Sequence, residues 1–224
     1  MTIDPKKYVA ILENEFSRNS NLVRSAQMNA YMKNKFQFYG IKSALRNSLQ
    51  RDFLKENGKP EPYQLEEIVN LLWLKPREMQ YFAIDLMRKM LRDIDVEYFK
   101  TLEFLLTNKS WWDSVDELAS AVCGPLFQKF PDQLPSLTDR WSSSNNMWLQ
   151  RTSIIFQLTY KQDTSTQLLV KYIEMHIRSN EFFIRKAIGW ALRQYSKTNL
   201  EWVKHFVESH ELSGLSKREA SKFF

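Results

Sequence analysis

One cysteine, five glycines, seven prolines and three histidines in 224 residues leave little material for several common chemistries. A lone Cys123 excludes an internal disulfide, and beside Gly124 at an expected helix end it reads as a small buried thiol. His176, His205 and His210 have no metal-ligand spacing with Cys123 or with one another. A glycine-rich phosphate loop and a nucleophile elbow are both missing. No apolar run approaches a membrane span. The opening stretch, MTIDPKKYVAILENEF, carries Asp4, Glu13 and Glu15, so it lacks the apolar region of a signal peptide and reads as an amphipathic helix. These absences predict a soluble, cytoplasmic chain. Any enzyme built from it would work through a carboxylate, with neither metal nor organic cofactor.

What is present favours helix. Hydrophobic residues make up 43% and charged residues 26%, the balance of a folded chain rather than a disordered one. Formal net charge is +6 and the pI about 9.3, which suits a polyanionic partner, with nucleic acid first. Apolar residues recur at helical spacing nearly everywhere and almost no strand is predicted.

Helix-start signals recur at Ser43, Lys75-Pro76, Ser110, Asn145, Asn180 and Ser216, with intervals of 32, 35, 35, 35 and 36 residues. A period near 35 marks a helical-pair solenoid, in which no pair buries its apolar face without its neighbours. The expected architecture is one all-α, HEAT-like solenoid domain over 1–224, with N-terminal helices in 1–42 and repeats from 43 to 224. Helices are predicted at about 5–18 and 21–33. Within the repeats, helices over 44–56, 76–91, 111–123, 146–160, 181–196 and 217–223 follow the start signals. Others over 63–74, 95–107, 132–142, 165–178 and 199–209 lead into them. Pro76 suits a first helical turn. Ser110, Asn145 and Asn180 are the expected caps, and Ser216 with Glu219 fits a capping box. The segment 124–135, with three prolines, reads as a kinked connection.

The period also puts distant residues into register. Counted from each start, Trp112 falls at +2, Asp116 and Arg151 at +6, and Trp190 at +10. Steps of four keep a residue on one face. Arg77, Tyr81 and Lys186 fall on the same row, which is too polar for core and too aromatic for a plain solvated face. Arg, Lys, Tyr and Trp on the concave wall of a solenoid suit a phosphate-bearing partner. Each residue also has a simpler reading. WWDSVDELA (111–119) can be a capped helix with one Trp buried and one half-exposed. Arg151 can sit in a surface salt bridge, and Trp190 can be interhelix packing with Gly189 beside it for close approach of a backbone or ligand. Asp113 is a first-turn carboxylate favoured by the helix dipole. Asp116 lies a turn further in, where partial desolvation makes carboxylates reactive.

KSWWDSVDELA, NNMWLQRTSIIFQLTYKQ, EFFIRKAIGWALRQYSKTN and LSKREA, with MNAYMKNKFQFYGI and REMQYFAIDLMRK, resemble the AlkD-type DNA alkylation-repair glycosylases from about residue 26 to 222. The resemblance implies HEAT-like solenoids that cleave the N-glycosidic bond of cationic N3- and N7-alkylated purines in double-stranded DNA. It places the family's aspartate on Asp116, its active-site tryptophans on Trp112 and Trp190, and its cleft arginine on Arg151. Tyr31, Arg46, Arg77, Tyr81, Lys186 and Arg193 become candidates for DNA contacts along a basic concave cleft. No metal or cofactor is implied, nor any membrane, and the chain is expected to act as a monomer associated with the nucleoid of a prokaryote. Some members of the wider family lack the aspartate, which this chain keeps. One departure is Ala44 in IKSALR, where the family often has proline. A non-catalytic DNA-binding paralogue and a protein-interaction scaffold are the competing readings. A carboxylate between two tryptophans argues against the first, and the basic row argues against the second.

Overall fold

A computed structural model describes residues 4–224, and these are helices joined by turns, with no strand among the described residues. The chain divides into two compact units, one up to Thr101 and one from Leu102 to Phe224. The first holds α1 (Pro5–Arg18), α2 (Leu22–Tyr31), α3 (Ser43–Asn57), α4 (Leu65–Trp73) and α5 (Arg77–Lys89). The division falls in α6 (Phe99–Thr107). The second unit holds α7 (Trp112–Leu118), a π-helical turn (Ala119–Cys123), α8 (Gly124–Lys129), α9 (Leu134–Ser142), α10 (Met147–Ile155), α11 (Thr166–His176), α12 (Phe182–Ser196), α13 (Leu200–Ser209) and α14 (Gly214–Ala220). The helices α3, α5, α7, α10 and α12 begin 34, 35, 35 and 35 residues apart, the helical-repeat class that the sequence pattern predicts.

Several caps fall beside their expected positions. Asn146, not Asn145, accepts from the Trp148 and Leu149 amides at 2.9 and 3.3 Å. Ser110 donates to the Leu106 carbonyl and so finishes the preceding helix, while Asn180 accepts from Arg185. The Ser216–Glu219 capping box does not form. In SGLSKREA the helix starts three residues earlier, Ser213 accepts from the Ser216 amide at 3.1 Å, and Glu219 ends up in the last turn. The expected kinked connection over 124–135 is largely helical, because Pro125 sits in the first turn of α8, where no intrahelical N–H is needed.

In the first unit, Tyr8, Leu12 and Phe16 recur every four residues on α1 and are wholly buried against α3 and α4. Phe53 joins this core to α5 through edge-on contacts with Tyr8 and Phe82, at 4.7 and 5.6 Å between ring centroids. The loop before α3 is held by a buried carboxylate. Glu78 accepts from the backbone amides of Tyr39, Gly40 and Ile41 at 3.0, 2.9 and 3.1 Å. Gly40 adopts φ +83, and a Cβ there would lie 2.3 Å from the Asn21 carbonyl oxygen, so only glycine fits.

In the second unit, Phe127, Trp141 and Phe156 form the aromatic centre, with centroids 5.7 and 5.3 Å apart. The π turn widens the helix between Asp116 and Gly124. Within it, Ser120 Oγ donates to the Asp116 carbonyl at 2.7 Å, and Tyr160 donates its hydroxyl hydrogen to the Gly124 carbonyl at 2.7 Å. Helix α14 packs against α12 at Gly189, where a Cβ would lie 2.7 Å from the Ser216 carbonyl oxygen and 2.5 Å from Glu219 Cβ. The backbone oxygen has no rotamer with which to yield. Gly189→Ala is therefore expected to cost about 1–3 kcal/mol despite alanine's better helix propensity. An unshifted thermal melt of that variant would show that α14 moves aside without cost.

Candidate active site

Asp116 lies on α7 one turn past Trp112, while Val115 and Leu118 are wholly buried. Arg151 lies on α10, 35 residues further on. The two meet as a fork: Arg151 Nε donates to Asp116 Oδ1 at 2.7 Å and Nη2 donates to Oδ2 at 2.9 Å. Arg151 is only 4% exposed. Its third nitrogen, Nη1, donates to the carbonyl of Phe183 at the start of α12. One guanidinium thus ties together three successive repeats.

The Phe183 ring packs on Trp111 and Trp148, with centroids 5.2 and 5.1 Å away, and these two indoles are 5.7 Å apart. This three-ring cluster fixes the N-terminal ends of α7, α10 and α12 next to the fork. Burial pushes the Asp116 carboxyl above its usual range, and the hydrogen bonds and charge of Arg151 oppose that rise. Nearby Asp113 adds to it. The outcome is a mostly desolvated carboxylate with a permanent cation on one side.

This geometry gives Arg151 a second role beside the expected phosphate contact: its guanidinium is buried and all three of its nitrogens already donate, so it holds Asp116 in place. Arg77 departs from the DNA contact expected of it. It is fully buried, its guanidinium lies 3.9 Å from the Phe36 ring centroid and donates to Gln80, and a cation with no exposed surface does not reach a DNA backbone.

The other candidates fall into three places. Trp112 and Trp190 are half-buried on α7 and α12. Lys186 and Arg193 are brought together on Glu219, at 2.8 Å each. In the first unit, Tyr31, Arg46 and Tyr81 line one cavity of about 280 Å³, with the Arg46 guanidinium 4.6 Å from the Tyr81 ring centroid.

Trp111, Trp148, Phe183 and Glu219 belong to the site or its support without having been singled out for it. The signal for the aromatic trio is that Trp148 and Phe183 share a start-proximal position 35 residues apart, with Trp111 two residues ahead of it in the preceding repeat, and Glu219 is visible only as half of a capping box. Cys123 is buried and its thiol is pushed up by burial, so it is chemically inert there. Among the described residues no group of three or more His, Cys, Asp and Glu is placed to hold a metal, and no helix is long and apolar enough to cross a membrane.

These features define a class: an all-α helical-repeat protein in which a mostly buried carboxylate is held by an arginine of the next repeat. Comparison with known proteins narrows it. The family described as DNA alkylation repair enzyme matches residues 12–224, and the chain belongs to that family. It is 36% identical to a solved structure described as a predicted DNA alkylation repair enzyme from Enterococcus faecalis, with a TM-score of 0.84 over 92% of this chain and 96% of that one. AlkD2 from Streptococcus mutans is 18% identical, with a TM-score of 0.67 over 99% of both chains. The protein smu.31 from Streptococcus mutans UA159 is also 18% identical, with a TM-score of 0.64 over 99% of this chain and all of that one, 100%. No curated protein matches the chain.

Proposed function

We propose that this chain is a DNA glycosylase that excises cationic N3- and N7-alkylated purines, such as 3-methyladenine and 7-methylguanine, from double-stranded DNA as a step of base excision repair. The observation that carries the reading is the Asp116–Arg151 fork. A carboxylate paired with a single arginine adds no net charge for binding a polyanion, whereas glycosidic cleavage has a use for a fixed, desolvated carboxylate.

Alkylation makes the purine a cation, so the electron pair of its glycosidic bond leaves with it as a neutral base. Positive charge then develops at C1′ and the ring oxygen of the sugar, as in other glycosyl transfers. A carboxylate fixed beside that charge lowers the barrier, the kind of preorganised electrostatic help that is usually the largest catalytic contribution. Asp116 also orients the water that adds to C1′, and the water's proton passes to the carboxylate or to solvent. Trp112 and Trp190 flank the sugar, excluding water and offering π faces to the cation. Tyr31, Arg46 and Tyr81 of the first unit contact the backbone of the duplex, as do Lys186 and Arg193 of the second, and one monomer suffices. With the backbone and sugar gripped instead of the base, the lability of the lesion supplies much of the rate, and selection falls on cationic adducts.

The test is single-turnover base release from defined duplexes carrying 7-methylguanine or hypoxanthine. Release of 7-methylguanine with little release of the neutral base supports the proposal. Equal rates on both would defeat the selection by charge. Tight, salt-sensitive duplex binding with no release of either would leave a non-catalytic DNA-binding protein.

A further inference from the structure

We propose that Lys186, Arg193 and Lys222, gathered on the buried carboxylate of Glu219, form a preassembled site for one phosphodiester of duplex DNA, with Glu219 as its positioning residue. The site lies on the face of α12 that carries Trp190, and it rests on the DNA reading above.

Lys186 Nζ donates to Glu219 Oε1 at 2.8 Å, and Arg193 Nη1 and Lys222 Nζ both donate to Oε2 at 2.8 Å. Three cations on one anion leave a local charge of +2. The arrangement is also layered. The Glu219 side chain is 7% exposed, while those of Lys186, Arg193 and Lys222 are 36%, 23% and 47% exposed. The anion lies inside and the cations outside, so a solute approaching from solvent meets positive charge.

Each ammonium has three N–H donors and the guanidinium five, and one from each is aimed at Glu219. The remainder are available to a phosphate oxygen without the long side chains being ordered at that moment. Lys186, Gly189, Trp190 and Arg193 follow the helical steps 0, +3, +4 and +7, so they share one face of α12. Gly189 admits α14 close enough for Glu219 to reach both cations of α12. Lys222 comes from the turn that follows α14.

Summed charge alone and preassembly by Glu219 give opposite expectations. If the three cations acted only through summed charge, Glu219→Gln would add one positive charge and tighten DNA binding. If Glu219 assembles them, the substitution lets like charges repel and splay, and binding weakens. The measurement is anisotropy titration of an undamaged duplex across a salt series, for wild type, Glu219→Gln, Glu219→Asp and Lys222→Gln.

Expected for Glu219→Gln is about tenfold weaker binding, the scale of one lost charge-assisted hydrogen bond, with the salt slope smaller by about one. Partial rescue by Glu219→Asp is expected, because it restores the charge on a shorter stem. Lys222→Gln, on an exposed side chain, is expected to lower the slope by about one with its melting temperature kept, and it carries the test if Glu219→Gln unfolds. Wild-type binding together with equal or tighter binding by Glu219→Gln, or an unchanged slope in Lys222→Gln, overturns the site and leaves the DNA reading intact. A wild type that binds no duplex overturns the DNA reading itself.

Discussion

Asp116→Asn is expected to lower the single-turnover rate of 7-methylguanine release by about 10²–10³-fold while duplex binding is kept. The amide has the shape of the carboxylate and can still accept from one nitrogen of the Arg151 fork, and the Phe183 carbonyl still holds Nη1, so Arg151 keeps two of its three hydrogen bonds. What disappears is the negative charge facing the developing cation. An unchanged rate would remove Asp116 from the reaction. The pH profile gives a second readout with a definite sign. Release requires the ionised carboxylate, so it falls as pH drops through the pKa of Asp116. Burial raises that pKa above the ordinary 3.8, so the acid limb is expected above that value. In Asp116→Asn the residual rate is expected to lose this limb.

Arg151→Ala is expected to destabilise the protein by about 3–5 kcal/mol, because it leaves Asp116 as a mostly buried charge without its partner. It also removes the donor to the Phe183 carbonyl and with it one tie between α10 and α12. Chemical denaturation measures the loss. Arg151→Lys separates the two roles open to this residue. A lysine cannot make the fork, so release slows if Arg151 orients Asp116. Since lysine keeps the positive charge, a direct phosphate contact would survive the change in large part. The orienting role is excluded if Arg151→Lys releases base at the wild-type rate. The phosphate role is supported if Arg151→Ala, studied below its melting temperature, lowers the salt slope of duplex binding by about one.

The repeat period carried the fold because it depends on side-chain type at coarse spacing, which sequence displays directly. Asp116 and Arg151 occupy the same position in successive repeats, so their proximity was legible as well. Their bond was not. A register shows which residues share a wall, but whether a guanidinium faces solvent or its neighbour depends on how deeply the helices pack. Arg77 illustrates the same limit. Its place on the row looked like a DNA contact, yet Phe36 covers it from a loop that Glu78 anchors, and nothing in the spacing of α5 reports that loop. Glu219 shows a local limit. Serines at 213 and 216 offer two possible helix starts, and only the earlier one, which the structure uses, places Glu219 in the last turn against α12.

The π turn at Ala119–Cys123 has an evolutionary consequence. Such a turn is equivalent to one residue inserted into an α-helix. Removing that one residue between Asp116 and Leu126 would restore regular winding and leave the two ends facing as they do now, whereas any other change of length would rotate everything beyond it by about 100° per mismatched residue relative to Asp116. In that case either the apolar side of α8, with Leu126 and Phe127, would turn toward water, or Asp116 would swing away from Arg151. Among lineages that retain the carboxylate, a stretch one residue shorter and regularly α-helical is therefore the length change expected between residues 116 and 126, and other length changes are expected in the turns between helices.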